Sequence, residues 1–500
     1  MRAEARQWAG LGLLALPTVL LGLDVTVLYL VAPSMAADLA PSGTQLLWIM
    51  DAYGFFIAGL LITMGTLGDR IGRRRLLMIG MIAFAAASVL AAFAPTAESL
   101  ILARALLGVA GATLMPSTLS LISNMFPDAR ERAVAIGVWA TMFALGMAAG
   151  PIVGGLLVDA FWWGAAFLLA VPVAVVVLLG ARTLLPEYAD PAAGRLDLVS
   201  VGLSLVSILP LIYAIKHLAV DGVGGQSVLL VVVGVVGGVL FVRRQRRLSD
   251  PLLDLSLFAN KAFTVALLVL LIGLVGVGGS MYLVTQYLQL VEGLTPFTAG
   301  LWMGPPALAM FAAAVGAPVL ARRIRPGYLM GATLGLSLAG YGLLATAGLD
   351  DQVPVAIGFA FVYLGLGAIA ALGTDIVVGA APAAKSGSAA SMSETVQELG
   401  IAVGVALLGS LTAAVYRARI TVPAGLSPES TAALDDSLGA TIAGDLPEPA
   451  VQAARLAFTT GMNVAALVAG VAIAVATVLC LRMLRHVPPL GREQKDSVGV

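Results

Sequence analysis

Five ionisable side chains stand inside long apolar stretches of this sequence: Asp24, Asp51, Arg104, Glu394 and Glu398. Asp24 lies in Leu21-Gly-Leu-Asp24-Val-Thr-Val-Leu-Tyr29, and no other charge occurs between Arg6 and Asp38. An aspartate is too short to reach lipid headgroups from such a depth, so it needs a partner, a water-filled cavity or a proton. A guanidinium beside a carboxylate favours the ionised form, and burial without one favours the acid. The chemistry within reach is therefore exchange of a proton, or of a cation in its place. Catalysis at a metal is not expected: Cys480 is the single cysteine, and His217 and His486 fall near the ends of apolar runs. We expect no enzyme, no cofactor and no metal.

Rise along a helix, 1.5 Å per residue, turns these positions into depths. With outer ends near Ala32, Gln45 and Glu98, Asp24 lies roughly 12 Å and Asp51 and Arg104 roughly 9 Å below the surface, in one layer. Glu394 and Glu398 share a helical face. Counted inward from Tyr416, they fall roughly 33 and 27 Å deep, near the opposite surface. Plainer roles compete with exchange chemistry. Arg104 and an aspartate could form a buried ion pair that only joins helices. Asp51 could approach the surface near the interfacial Trp48, and Ser391-Met-Ser-Glu394 has the pattern of a capping box.

The elements that carry these groups follow from composition. Hydrophobic residues make up 60% of the 500 residues, charged residues 11%, and mean hydropathy is +0.99. A soluble core cannot absorb so much apolar surface, whereas a bilayer can. Apolar runs of about 18–25 residues number about fourteen. The first, after Met-Arg-Ala-Glu-Ala-Arg, is too long for a signal peptide and should remain as a helix. Most arginines and lysines fall in alternate segments, leaving Lys216, Arg417, Arg419 and Arg455 on the other side and Arg104 in a span. That alternation predicts both termini in the cytoplasm. Lys plus Arg equals Asp plus Glu at 28 each, so nothing argues for nucleic acid. The predicted organisation is a six-helix bundle over 1–184 and a linker with two inserted helices over 185–243. A linker at 244–260 leads to a second six-helix bundle over 261–485, with an outward loop at 417–455, and a tail follows at 486–500. A loop of that length is expected to be functional or disordered.

Two motifs connect the runs. Gly65-Thr-Leu-Gly-Asp69-Arg70-Ile-Gly72-Arg73-Arg74-Arg75 joins the second and third, with glycines for a tight turn and arginines for an anionic membrane surface. Gly146-Met-Ala-Ala-Gly150-Pro151-Ile-Val-Gly154-Gly155 puts Gly146, Gly150 and Gly154 on one face, allowing close helix approach, and Pro151 removes a backbone donor. The first motif resembles the inner-loop signature of the major facilitator superfamily, and the second its antiporter signature. Leu23-Asp24-Val-Thr26 through Pro33, and Trp162-Trp163-Gly-Ala-Ala-Phe167, are similar to the fourteen-helix branch of drug:proton antiporters. That branch usually carries a basic residue near position 163 or 164, which is absent here. The resemblance covers the chain through about residue 485.

The resemblance implies an all-α membrane protein of the major facilitator fold, with two six-helix bundles and two inserted helices. It implies export of lipophilic cations such as dyes, quaternary ammonium compounds and amphiphilic antibiotics, in exchange for protons, by a monomer in a bacterial cytoplasmic membrane. In that family Asp69 and Arg73 lock the two halves in one access state, Arg104 belongs to the proton-transfer motif, and acids stand at the positions of Glu394 and Glu398. Aromatic and methionine side chains suit lipophilic cations. Tyr53, Phe56, Met142, Phe143, Tyr282 and Tyr287 are the cavity candidates. An exporter of an endogenous lipid or metabolite, and a non-transporting membrane sensor, are the alternatives.

Overall fold

The computed structural model describes residues 5–126, 128–189, 197–221, 224–248, 251, 253–381, 386–423, 426–444 and 446–489. Of the basic residues behind the orientation, Arg2, Arg195, Lys385, Arg492 and Lys495 lie outside the described residues. The described chain is helical. The first half comprises α1 (Ala5–Leu39), α2 (Gly43–Ile71), α3 (Arg73–Ala92), α4 (Ala97–Met125), α5 (Ala129–Ala160), and the short α6 (Ala165–Leu168) leading into α7 (Ala170–Leu184). The inserted pair is α8 (Leu198–Asp221) and α9 (Gly225–Gln245). The second half runs through α10 (Lys261–Gln286), α11 (Pro296–Trp302), α12 (Gly304–Leu320), α13 (Pro326–Ala345), α14 (Gln352–Gly379), α15 (Ser386–Arg419), α16 (Pro428–Asp436), α17 (Leu438–Ala443) and α18 (Glu448–Met483).

Thirteen described stretches are long and apolar enough to cross a membrane, and α8, apolar over its described part Leu198–Leu211, adds a fourteenth long helix. The chain is a multi-pass membrane protein. Local sequence sets several starts: Ser42 with Gln45 and Thr96 with Ser99 form capping boxes, and Asn260 and Thr295 cap α10 and α11.

Both halves use one packing plan. In the first, α1 packs on α5 and α7, α2 on α4, and α3 on α4 and α7; α10, α12, α13, α14, α15 and α18 repeat those pairings in the second. Glycines permit the closest of these crossings. A Cβ on Gly146, Gly150 or Gly154 would run into Val19, Thr26 or Val27 of α1, as the spacing predicted, and Gly400 and Gly404 play that part against α10. The halves meet along two equivalent seams, α2 against α15 and α5 against α11 and α12. Gly155 faces the Pro296 carbonyl, Gly300 faces that of Pro151, and the Phe297 N–H donates to Asp159 at 3.3 Å.

Gly150→Ala places a methyl group on the Thr26 hydroxyl and 3.1 Å from the Leu23 carbonyl oxygen. Overpacking of this kind costs about 1–3 kcal/mol. Purified Gly150→Ala is expected to melt lower than wild type. Gly137→Ala on the same helix, where a Cβ meets nothing within 4 Å, is expected to be neutral or slightly stabilising.

The inserted pair breaks the symmetry by covering one seam. Helix α8 lies against α2 and α15, with Leu205 on Gly59 and the rings of Trp48 and Tyr213 6.0 Å apart. Arg244 grips Asp197 with both arms of its guanidinium, at 2.7 and 2.8 Å. With Ser200 it holds the Asp197 carboxyl well below the usual carboxylate range.

The described residues of the 417–455 segment, for which the sequence left function or disorder open, include helices α16 and α17. Helices α16 and α17 bury Leu434, Leu438 and Thr441, and the Tyr416 hydroxyl donates to the Leu434 carbonyl at 2.8 Å. Helix α17 touches both α1 and α18, so the segment spans the two halves at this end. The other end carries the arginines of the inner-loop motif and of α9, and is the basic end below.

Candidate functional site

Helices α1 and α4 bring two of the five charges into direct contact. Arg104 Nη1 donates to Asp24 Oδ2 at 2.9 Å, with Arg104 only 2% and Asp24 7% exposed. Arg104 Nε donates to the Ile49 carbonyl at 3.3 Å, fixing its height against α2. Its guanidinium lies 4.6 Å from the Tyr53 ring centre and 5.9 Å from that of Phe167. Two ring faces therefore cover a cation already paired with a carboxylate. Gly108 makes this possible, because α4 lies so close to the Tyr53 carbonyl and Phe56 that a side chain there would collide. Asp51, two residues beyond Ile49, is almost fully buried. A hollow of about 10 Å³ adjoins Asp24 between Phe84 and Phe167, close to the smallest space that holds a water.

The layer extends across the seam. Glu398 is buried on α15, where its backbone oxygen and Ala402 face Gly54 of α2. This corrects the depth count from Tyr416, which puts Glu398 near the far surface. Helix α15 is 34 residues long, about 51 Å at 1.5 Å per residue, and exceeds a hydrocarbon core of about 30 Å. Its Tyr416 end is packed under α16 and α17, so counting from there overstates depth. Gly409 against Leu47 and Ala402 against Gly54 define the register directly.

Glu394 lies one turn further toward the basic end, half-buried. The capping-box reading is overturned, because α15 begins at Ser386 and Glu394 sits well inside it. Ser393 is buried beside the Thr374 hydroxyl at 3.0 Å, with the Gln397 amide 3.4 Å from each.

The inner-loop motif is engaged within the first half. Asp69 at the end of α2 accepts from Arg73 Nε at the start of α3, at 2.8 Å across the turn. Gly72 has φ +107°, a region that favours glycine, and a Cβ there would strike the Glu187 carboxylate. The Arg73 N–H donates to the Tyr188 carbonyl at 2.8 Å, and Arg74 to Glu187 and the Leu185 carbonyl. Arg70 is exposed.

Among the cavity candidates, Tyr53 and Tyr282 join the charged layer. Phe56, Met142 and Phe143 are half-buried on α2 and α5. Tyr287 is not brought to the carboxylates. Its hydroxyl lies 2.6 Å from Glu292 and 2.7 Å from the Gly348 carbonyl, and accepts from the Asp351 N–H, a clamp at the end of α10. Sequence reasoning missed Tyr29 and Tyr363. Tyr363 donates to the Met281 sulfur at 3.1 Å; a phenol in an apolar run, which needs a partner, was the available signal. Where a basic residue is usual, Trp163 donates its indole N–H to Asp38 at 2.8 Å.

Comparison with known proteins bears on this arrangement. The profile of the Major Facilitator Superfamily matches residues 14–405. The chain is 45% identical over 484 residues to multidrug efflux pump LfrA of Mycolicibacterium smegmatis, covering 95% of this chain and 96% of that protein. It is 35% identical over 481 residues to methyl viologen resistance protein SmvA of Salmonella typhimurium, covering 93% and 96%. Among solved structures, a bacterial homolog of the human lysosomal transporter Spinster, inward-facing and unoccupied, superposes with TM-score 0.68 at 16% identity, over 97% of this chain and 98% of that one.

Proposed function

We propose that this chain, which belongs to the Major Facilitator Superfamily and is a transporter rather than an enzyme, exports lipophilic cations in exchange for protons. The observation that carries the reading is the sealed Asp24–Arg104 pair. A carboxylate so placed holds Arg104 in one access state. If α1 and α4 shift against one another within the first half as access changes, and Asp24 parts from Arg104, it takes a proton or a drug cation instead. One site that accepts either ligand couples their opposite movements. Asp51 lies in the same outer layer, Glu398 and Glu394 extend the acceptor set toward the basic end, and Tyr53, Tyr282, Phe56, Met142 and Phe143 offer rings and sulfur to an amphiphilic guest.

The remaining features fit alternating access. Contacts between the halves at Gly155–Pro296 and Gly300–Pro151, with α17 across them, gather at the end away from the arginines. By the charge rule the arginines are cytoplasmic, so this is an inward-facing arrangement in an inner membrane, with both termini inside. Arg73 Nη1 is buried without a hydrogen-bond partner here. Opening toward the outside would bring the second half onto Asp69 and Arg73, giving that nitrogen an acceptor. Drug-efflux and resistance names among the relatives support small lipophilic cations as cargo.

Cells expressing the protein are expected to clear ethidium, and a protonophore should stop that clearance within the mixing time. Clearance that continues after the proton gradient collapses sinks the exchange mechanism. A failure to move ethidium or quaternary ammonium compounds, with movement of a lipid in proteoliposomes, would instead favour an endogenous cargo.

A further inference from the structure

We infer that the inserted pair carries a binding site for one anionic phospholipid of the leaflet at the basic end. A groove of about 500 Å³ runs between α8 and α9 and ends at Arg243 and Arg246. Its geometry follows from helical periodicity. Residues 234, 238, 242 and 246 form one row along α9, and 235, 239 and 243 the row beside it. Each row is glycine or valine until its last member, which is arginine. From Gly234 to Val242 the apolar part descends roughly 12 Å, comparable with one leaflet of a hydrocarbon core about 30 Å thick.

The rows therefore have the layout of a lipid, an acyl-chain track below and cationic donors at headgroup height. Gly234 and Gly238 open the track by bringing α9 against Leu211 and Ser207. The arginines divide their work. Arg244 is committed to Asp197, and Gln245 to Ser200 and the Leu253 N–H, at 2.7 and 3.2 Å. Arg243 and Arg246 are exposed at the mouth of the groove. Guanidinium groups bind phosphate through paired N–H donors, and basic pockets between helices on the cytoplasmic side select anionic headgroups. Two arginines also repel cations, which separates this groove from the transport path. The assignment to the cytoplasmic leaflet rests on the orientation proposed above; the lipid chemistry does not.

Titration of the purified full chain with phosphatidylglycerol or phosphatidylcholine of identical chains, followed by native mass spectrometry, tests the site. One phosphatidylglycerol is expected to bind tightly. Arg243→Gln/Arg246→Gln should weaken it about 30-fold, at the usual contribution of a basic residue near an anionic surface, while Arg243→Lys/Arg246→Lys retains most of it. Val239→Trp, which fills the track and leaves both arginines, should also release the lipid. Equal retention of phosphatidylcholine by wild type, or undiminished phosphatidylglycerol binding by both groove variants, overturns the site. Ethidium efflux is a separate readout, so loss of efflux with lipid binding intact would fault the transport reading alone.

Discussion

Asp24→Asn is expected to abolish uphill efflux in a membrane-inserted protein that melts lower than wild type, because the buried Arg104 loses its counter-charge. Asparagine keeps the shape and still accepts a hydrogen bond from Arg104, but it neither loses nor gains a proton. For an exchange of one proton per monocation, the membrane potential drops out of the driving force. Without the proton, each cation leaves against about 2.3 kcal/mol per 100 mV, a factor of about 50 in the attainable gradient. Proteoliposomes with imposed pH and potential gradients check this directly. Wild type should follow the pH difference, and the variant should move the cation, if at all, only down its own electrochemical gradient. Cation binding should show the same loss: protons compete with tetraphenylphosphonium in wild type, so its binding weakens as pH falls, and the variant's pH dependence should flatten. Wild-type transport by Asp24→Asn across pH would remove this residue from the mechanism.

How much of this was legible beforehand depends on the residue. Arg104 could be placed because α4 starts at Ala97, beside the assumed outer end at Glu98. The Asp24 count from Ala32 stops short of the end of α1 at Leu39, and it is the contact between the two side chains that sets their common level. Gly146, Gly150 and Gly154 could be read because four-residue spacing has one geometric meaning in a helix. Glu398 could not be placed, because α15 is longer than the membrane is thick, and nothing local says which end projects. The capping alternative for Glu394 fails for a related reason. A capping pattern is satisfied by chance inside a helix when its real start, Ser386, carries no stronger signal. Tyr287 has the right type for a drug pocket, yet its surroundings at Glu292, Gly348 and Asp351 come from segments distant in sequence. Contacts between the halves, Ala402 against Gly54 among them, are tertiary facts that no periodicity encodes.

The pair at the centre still admits a plainer role, a buried ion bridge that only joins α1 to α4, and Arg104 separates the two. Arg104→Met strands Asp24 beneath Phe84 and Phe167 and removes the cation above the Tyr53 ring. Breaking a buried pair from one side costs about 3–5 kcal/mol, because the remaining charge is left uncompensated. The single variant should therefore melt well below wild type and transport nothing. Adding Asp24→Asn removes the stranded charge, and neutral replacements for buried pairs are often as stable as the pair itself. Asp24→Asn/Arg104→Met should thus recover most of the lost melting temperature. The two readings part at that point. A bridge that only held helices together would give back transport along with stability. A proton-exchanging pair would give back stability alone, since neither replacement binds a proton. The expected result is a well-folded, monodisperse double variant whose ethidium efflux stays at background at every pH.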